Sequence, residues 1–370
     1  MIKYILRRIV GLIPLFIGVI ILSFILMQLA PGGPAGPVIN NTRITQEQKE
    51  RWLARWCLED SKDIGSVLRQ FGGWSGILNC QNEGSQQFFS AQGGLNLLPA
   101  ALGGGDNGFL HGDLGTSIDT GRPVGEMIGE RAAATLFLTV TALILWVSIA
   151  IVAGVYAAIR RYSLFDQSLT LFSYIFFSLP TFWLGLMLIF AFGPALHLLP
   201  TGGVVEVRDW PAFGSPQFWV AAGQRPIDAI LDIGKHLILP VTTLVLVNIA
   251  ADSRFVRASM LEALNQDYVR TAKAKGLPGR TVVGKHALRN AMLPVVTNVG
   301  LELPFLVSGA IVTETIFSWP GMGRLFIDAV GERDYYVLMG LILIASFAIL
   351  AANLLADVLY AIVDPRIRYD

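Results

Sequence analysis

The feature that most limits what this chain can become is a run of 21 residues, Ile9 to Leu29, that carries no charge. A helix needs roughly 20 apolar residues to cross the hydrocarbon core of a bilayer. The pattern recurs at Ala132 to Ile159, Gln167 to Phe192, Leu237 to Ala251 with its flanks, Ala291 to Thr313, and Val337 to Val363. The last two runs contain one acid each, Glu302 and Asp357. Every such segment must be helical, because lipid offers no partner for an open backbone N–H or C=O. Pro14, Pro180, Pro240, Pro294 and Pro304 fall within or beside these runs. They are tolerated where neighbouring helices or waters satisfy the freed carbonyls. The expected fold is therefore all-α and integral to the membrane, with six transmembrane helices. Composition agrees, since only 15% of the 370 residues are charged, against about 25% in soluble domains. Disorder needs low hydrophobicity and high net charge, and nucleic-acid binding needs excess positive charge. At 53% hydrophobic and a net charge of +1, the chain has neither. The four histidines and two cysteines are scattered, with no His pair at i, i+4, so no metal site is expected.

Lys3, Arg7 and Arg8 precede the first run. Secretory signal peptides also begin this way, but their apolar core is about 7–15 residues long. Here Pro31-Gly32-Gly33-Pro34 stands where a small-residue cleavage site would be, so the run reads as a retained span. With the N-terminus inside, the cytoplasmic side holds 15 basic and 5 acidic residues and the outer side 13 basic and 19 acidic. Asp252, Glu302 and Asp357 lie within or at the ends of spans. The inner excess of Lys and Arg matches the positive-inside rule and puts both termini in the cytoplasm.

This divides the chain into 1–30 (N-terminus and first span), 31–131 (an enlarged extracytoplasmic insert between the first and second spans), 132–363 (the other five spans) and 364–370 (a cytoplasmic tail). The third part includes an outer loop at 193–235 and a cytoplasmic loop at 254–290. Within the insert, Thr45 to Leu58 reads as a helix: Thr45 can cap it, Gln48 follows three residues on, and Trp52, Leu53 and Trp56 share a face. Trp52, Trp56 and Trp74 argue for a small folded lid or docking subdomain rather than a free linker. Cys57 and Cys80 both fall in the insert, where an oxidising compartment permits a disulfide. The tryptophans of the second outer loop, Trp210 and Trp219, are expected at the membrane interface.

The most informative segment is Arg254 to Arg289, with eight basic residues and two acids. Leu261 to Leu264 and Tyr268 to Lys275 read as helix, Gly276 and Pro278 break it, and Lys285 to Leu293 resume it. A helix, a glycine turn and a second helix thus project on the basic side. Binding to anionic headgroups explains such a patch, and so does a surface helix offered to a cytoplasmic protein. The residues favour the second through a likeness. Arg270-Thr271-Ala272-Lys273-Ala274-Lys275-Gly276-Leu277 resembles the coupling loop of ABC importer permeases, where Glu-Ala-Ala, three residues and Gly are usual. Gly276 keeps that spacing, while the glutamate and first alanine are replaced. His286-Ala287-Leu288-Arg289 stands where Ile-x-Leu-Pro is usual, and Leu293-Pro294 follows. Such departures resemble the dipeptide/oligopeptide/nickel branch. So do Leu6-Arg7-Arg8 through Pro31-Gly32-Gly33-Pro34, Gly112-Asp113-Leu114-Gly115, Ser178-Leu179-Pro180-Thr181-Phe182-Trp183-Leu184-Gly185, the ETIFSWPGMG run from Glu314 to Gly323, and Asp357 to Arg368. The likeness spans nearly the whole chain except about residues 38–105 and parts of 202–232. The opening signature and long outer insert resemble the "B" subunit of the permease pair.

That resemblance implies the ABC type I importer permease fold, in a bacterial or archaeal plasma membrane. It implies a second homologous permease as partner, two cytoplasmic ATPases carrying ATP and Mg, and an extracytoplasmic solute-binding protein. It implies no cofactor on this chain and no nucleic-acid partner. The solute is expected to be a di- or oligopeptide. Oligosaccharides, glutathione and metal chelates are alternatives within the class. No G-x-x-x-x-G-K-[ST] pattern occurs, so ATP hydrolysis belongs to the partners. Arg270, Thr271, Ala272, Lys273, Ala274, Lys275, Gly276 and Leu277 are the expected ATPase contact. The small Ala272 and Ala274 would allow close approach, and the cations would meet acids. Acids at membrane depth default to functional hypotheses. Glu302 is a candidate for the solute pathway with Ser173, Phe177, Asn248 and Asn298. Asp252 and Asp357 are expected in structural ion pairs, Asp252 with Arg254 or Arg257. A membrane enzyme fits poorly, because His111, His197, His236 and His286 cannot meet and no nucleophile elbow is present. A proton- or sodium-coupled carrier fits poorly as well, with one deep acid and no inverted repeat evident.

Overall fold

The computed structural model describes residues 2–30, 33, 35–39, 45–55, 64–76, 108–308 and 310–363. Helices carry most of them. Among these residues β structure is limited to one bridge, Thr116 with Pro123. Four helices are long and apolar enough to cross a membrane, inside Ile2–Leu29, Val124–Ile159, Pro226–Leu264 and Tyr335–Val363. The run expected as a single span at 167–192 is broken. Leu164–Ser178 and Thr181–Ala195 meet at an angle of 100°. The cause is Pro180: a proline pushes the residue before it out of the helical region, and Leu179 sits at φ −83°, ψ 130°. The Arg289–Ser308 helix overlaps the fifth expected span, 291–313, but ends before it does, and a separate helix follows at Ile311–Ile316. Arg289–Ser308 is not among the described helices long and apolar enough to cross.

The chain forms two compact units. One comprises Val10–Glu130 and Leu325–Phe347. Its aromatic centre is Phe24, Phe71, Trp74 and Phe109, with ring centroids 4.7–6.3 Å apart. Gln28 Nε2 donates to Gln70 Oε1 at 2.5 Å beside it. The helices Gln46–Arg55 and Ile64–Ser75 belong to this unit, the first lying inside the stretch expected to be helical. In the Gly112-Asp113-Leu114-Gly115 turn, Asp113 accepts the Gly115 N–H at 2.9 Å. Asp334 is buried before the Tyr335–Val363 helix and accepts from the Ser117 hydroxyl at 2.6 Å and the Ile118 N–H at 3.0 Å. Cys57, Cys80 and Trp56 lie outside the described residues.

The other unit comprises Met1–Ile9, Arg131–Arg324 and Ala348–Asp370. One core of its described residues gathers Leu138, Trp146, Trp210, Phe218, Leu244 and Trp319. Trp210 is 6% exposed, its ring packed inside the chain, whereas Trp219 is 57% exposed. The Arg225 guanidinium covers the Trp210 ring at 4.6 Å, so the 193–235 segment is folded against its own chain. The stretch expected as outer loop contains a helix, Pro216–Gln224, and a second helix begins within it at Pro226 and continues without interruption to Leu264, past Arg254. Gly154 lets this helix approach Val124–Ile159: a Cβ there would stand 2.6 Å from the Ser253 carbonyl. Small residues serve this purpose in membrane helix pairs.

Candidate functional site

The basic loop at 254–290 folds as an elbow. The Pro226–Leu264 helix ends at Asn265, Gln266 is extended (ψ 152°), and a second helix spans Asp267–Ala274. Asp267 opens it, where a carboxylate meets the positive end of the helix dipole, and Lys273 lies in its last turn. Its end is local chemistry. Gly276 adopts φ +73°, its N–H bonds the Lys273 carbonyl at 2.9 Å, and the Leu277 N–H reaches the Ala272 carbonyl at 3.3 Å. A left-handed residue at this position is how helices commonly end, and glycine takes it without a Cβ penalty. Apart from its chain neighbours, no residue has an atom within 4 Å of where a Gly276 Cβ would be, so backbone conformation demands glycine here.

The helix has two faces. Val269 and Ala272 are buried in a cluster with Ala158, Met260, Ala263, Val282, Ala287 and Ala291. Arg270, Thr271, Lys273, Ala274, Lys275, Gly276 and Leu277 are exposed. Ala272 was expected to permit approach of a partner. It is 5% exposed, and its small size instead seats the helix on its own chain. Beyond Pro278 the chain turns through Gly279–Thr281 and a wide π-helical stretch, Val282–Leu288, into Arg289–Ser308. The elbow is thus continuous with one long helix on each side.

The candidate pathway residues are spread over three helices. Ser173 is buried, its hydroxyl donating to the Leu169 carbonyl at 2.8 Å. Phe177 is 62% exposed. Asn248 donates to the Leu244 carbonyl at 2.8 Å. Asn298 is joined to Asp252, which accepts its side-chain N–H at 3.1 Å and that of Trp146 at 3.0 Å. Asp252 and Asn298 line a shallow recess, with room for about one water molecule, together with Val147, Phe255 and Val295. Glu302 lies on the same helix as Asn298, half-buried. The expected ion pair of Asp252 with an arginine does not form; neutral donors hold its carboxylate, and Arg257 is bound to Asp166. The Asp357 side chain lies outside what the structure describes.

Two buried acids organise the molecule although no charge pattern singled them out. Asp166 is gripped by Arg257. Glu314, 0% exposed, accepts from the Thr135 hydroxyl at 2.9 Å and from the Gly323 and Arg324 N–H groups at 2.7 and 3.2 Å. Those two N–H groups are orphan donors at the start of the Met322–Glu332 helix. Thr135 also accepts the Met322 N–H at 2.7 Å, and Trp319 Nε1 donates to the Ala134 carbonyl at 2.8 Å. The ETIFSWPGMG run is therefore a knot tied around one carboxylate.

With this geometry in place, the family description "Binding-protein-dependent transport system inner membrane component" matches residues 150–369. The oligopeptide transport system permease protein AppB of Bacillus subtilis (strain 168) is 37% identical over 370 residues, covering 100% of both chains. The dipeptide transport system permease protein DppB of Escherichia coli (strain K12) is 37% identical over 377 residues, covering 100% of this chain and 99% of the relative. The di/tripeptide transport system permease protein DppB of Pseudomonas aeruginosa (strain UCBPP-PA14) is 35% identical over 373 residues, with the same coverage.

Proposed function

The chain belongs to the binding-protein-dependent transport inner-membrane component family, and from that premise we propose that it is the permease subunit of an ATP-driven importer of di- or oligopeptides. Membership makes it a multi-pass membrane transport component and not an enzyme. The peptide solute is carried over from relatives whose names specify oligopeptide, dipeptide and di/tripeptide transport.

The single observation that carries the mechanism is the two-faced elbow at Asp267–Leu277. Its inner face packs on the permease core, and its outer face offers Arg270, Lys273, Lys275 and Leu277. In this reading a cytoplasmic ATPase receives the outer face, with acids opposite the cations. Closure of two ATPases around ATP and Mg then pushes the elbow. Because it is flanked by helices and terminated by a fixed Gly276 turn, the push reaches Pro226–Leu264 and Arg289–Ser308 with little loss in bending. The reading also includes a second homologous permease, a solute-binding protein at the outer face, six spans with Arg289–Ser308 as the fifth, and both termini in the cytoplasm. The insert at 31–131 is assigned to docking of the binding protein.

Reconstitution tests it. The chain, its partner permease, the ATPases and the binding protein in vesicles should take up a labelled dipeptide only with ATP and Mg. Uptake without ATPase, or uptake of oligosaccharide or nickel chelate with none of peptide, would overturn the class or the solute respectively.

A further inference from the structure

Asp166 and Arg257 form an ion pair to which the transport scheme above assigns no part. Asp166 stands in the first turn of the Leu164–Ser178 helix with its side chain 4% exposed, and Arg257 projects from Pro226–Leu264. Arg257 Nε donates to Asp166 Oδ1 at 2.5 Å and its Nη2 to Oδ2 at 2.8 Å. A guanidinium gripping both carboxylate oxygens fixes orientation as well as distance. Asp166 Oδ2 also accepts the Tyr162 backbone N–H at 2.9 Å, and Tyr162 is held at φ 63°. Left-handed backbone is uncommon outside glycine, so the turn that follows Val124–Ile159 is organised by this carboxylate. One turn before Arg257, and on the same face, Arg254 lays its guanidinium over the rings of Tyr174 and Phe177 at 5.3 and 5.5 Å. The two helices are thereby tied at two points.

Stability alone is a weak reason for such a pair, because the cost of burying the charges offsets much of their attraction. Its position suggests another. Arg257 lies two turns before Leu264, where the long helix passes into the elbow. Anything that displaces the elbow displaces Arg257, and Arg257 holds the start of one helix and the turn that closes another. The segment so tied ends at the 100° break at Leu179–Pro180, which leaves it free to move apart from Thr181–Ala195.

We propose that the Asp166–Arg257 pair is the joint that passes movement of the elbow to the Val124–Ile159 and Leu164–Ser178 helices, which makes both residues positioning residues for transport. The proposal rests on the importer reading. The test uses the assembled transporter in vesicles, with uptake of a labelled dipeptide and ATP hydrolysis measured separately. The Asp166→Asn variant should assemble and hydrolyse ATP at the parent basal rate, while dipeptide carried per ATP falls at least tenfold. Arg257→Lys keeps the charge but not the fork, and should fall to an intermediate ratio. That variant decides the matter if Asp166→Asn does not assemble. A parent-like ratio in Arg257→Lys or in an assembled Asp166→Asn overturns the proposal. So does a fall in uptake and hydrolysis together, in proportion to assembled complex, which is what a merely structural role produces. Two controls separate the readings: if Gly276→Val couples normally, the elbow's part in coupling fails and the joint with it, and if the parent shows no ATP-dependent uptake, the importer reading itself fails. If those controls behave and the ratio is unchanged, the joint alone fails.

Discussion

The elbow at 265–277 and the knot at 310–324 both depend on glycine, for opposite reasons. Gly276 has open space on every side and is required by its positive φ. Gly321 and Gly323 are required by crowding: a Cβ on the first would collide with the Glu314 carboxylate, and one on the second would stand 2.7 Å from the Ile311 Cα. The first region keeps its cations in water and its shape by a local turn. The second buries a carboxylate and keeps its shape through distant partners. An element with the role proposed for the elbow can be altered on its exposed face without disturbing the fold. An element that closes the core cannot.

The largest effects should therefore fall on the knot. Glu314→Ala leaves the Thr135 hydroxyl and two backbone N–H groups without their acceptor, and each buried unpaired group costs about 1–3 kcal/mol. Little folded protein should survive detergent extraction, as read by size-exclusion profile and thermal melting. Gly323→Ala forces overpacking against backbone, at about 1–3 kcal/mol, and should lower the melting temperature clearly but less. Unchanged melting in both variants would erase the contrast.

Gly276 should behave differently. Gly276→Val puts a β-branched residue into left-handed backbone, at about 1–2 kcal/mol, confined to an exposed turn. The melting temperature should hardly move while dipeptide carried per ATP falls tenfold or more. Gly276→Asn, which tolerates this conformation better, should keep most coupling. If Asn were as damaging as Val, side-chain volume at a partner surface, and not backbone conformation, would be the requirement.

These differences explain what could be read from the sequence. Apolar runs report hydration, which is local, so the long apolar helices appear where hydropathy places them. The elbow was legible because a left-handed glycine after a short helix is also local chemistry. Pro180 was visible, but a hydropathy average does not register that Leu179 must leave the helical region and split the run. Ala272 was misplaced although Val269 lies three residues before it on the same face; that spacing was the missed sign of an inward side. Ser163 and Asp166 carry a capping pattern three residues apart, yet the residue that gives Asp166 its role is 91 positions away. Glu314 is further still from Thr135, at 179. Pairings at such separations leave no trace in composition or period.

A smaller effect is expected on the exposed cations. Lys273→Glu and Lys275→Glu reverse charges that the fold leaves in solvent, and surface changes of this kind usually stay within about 0.5 kcal/mol. Melting should be unaltered, whereas coupling should fall several-fold and fall more at low salt, where charges act over longer distances. A loss independent of salt would move the role of this face from charge to shape.

The smallest effect isolates the buried carboxylate itself. Burial raises the Glu314 pKa above the ordinary glutamate range, while the hydrogen bonds from Thr135, Arg324 and Gly323 act against that rise. The folded state therefore binds this proton more tightly than the unfolded chain. The resulting stability is fully present below the ordinary glutamate pKa and is lost as pH rises through the raised value. Glu314→Gln removes the ionisation but replaces one acceptor oxygen with an NH2 donor, so either the Thr135 hydroxyl or the Gly323 and Arg324 N–H groups lose their acceptor, and its stability should be lower overall. Between the ordinary and raised values, the parent should lose melting temperature with rising pH more steeply than the variant, and the two curves should run parallel above that window. Parallel curves throughout would mean that the three donors hold the carboxylate at its ordinary pKa, and the knot would then resemble the elbow in bearing a charge at little cost.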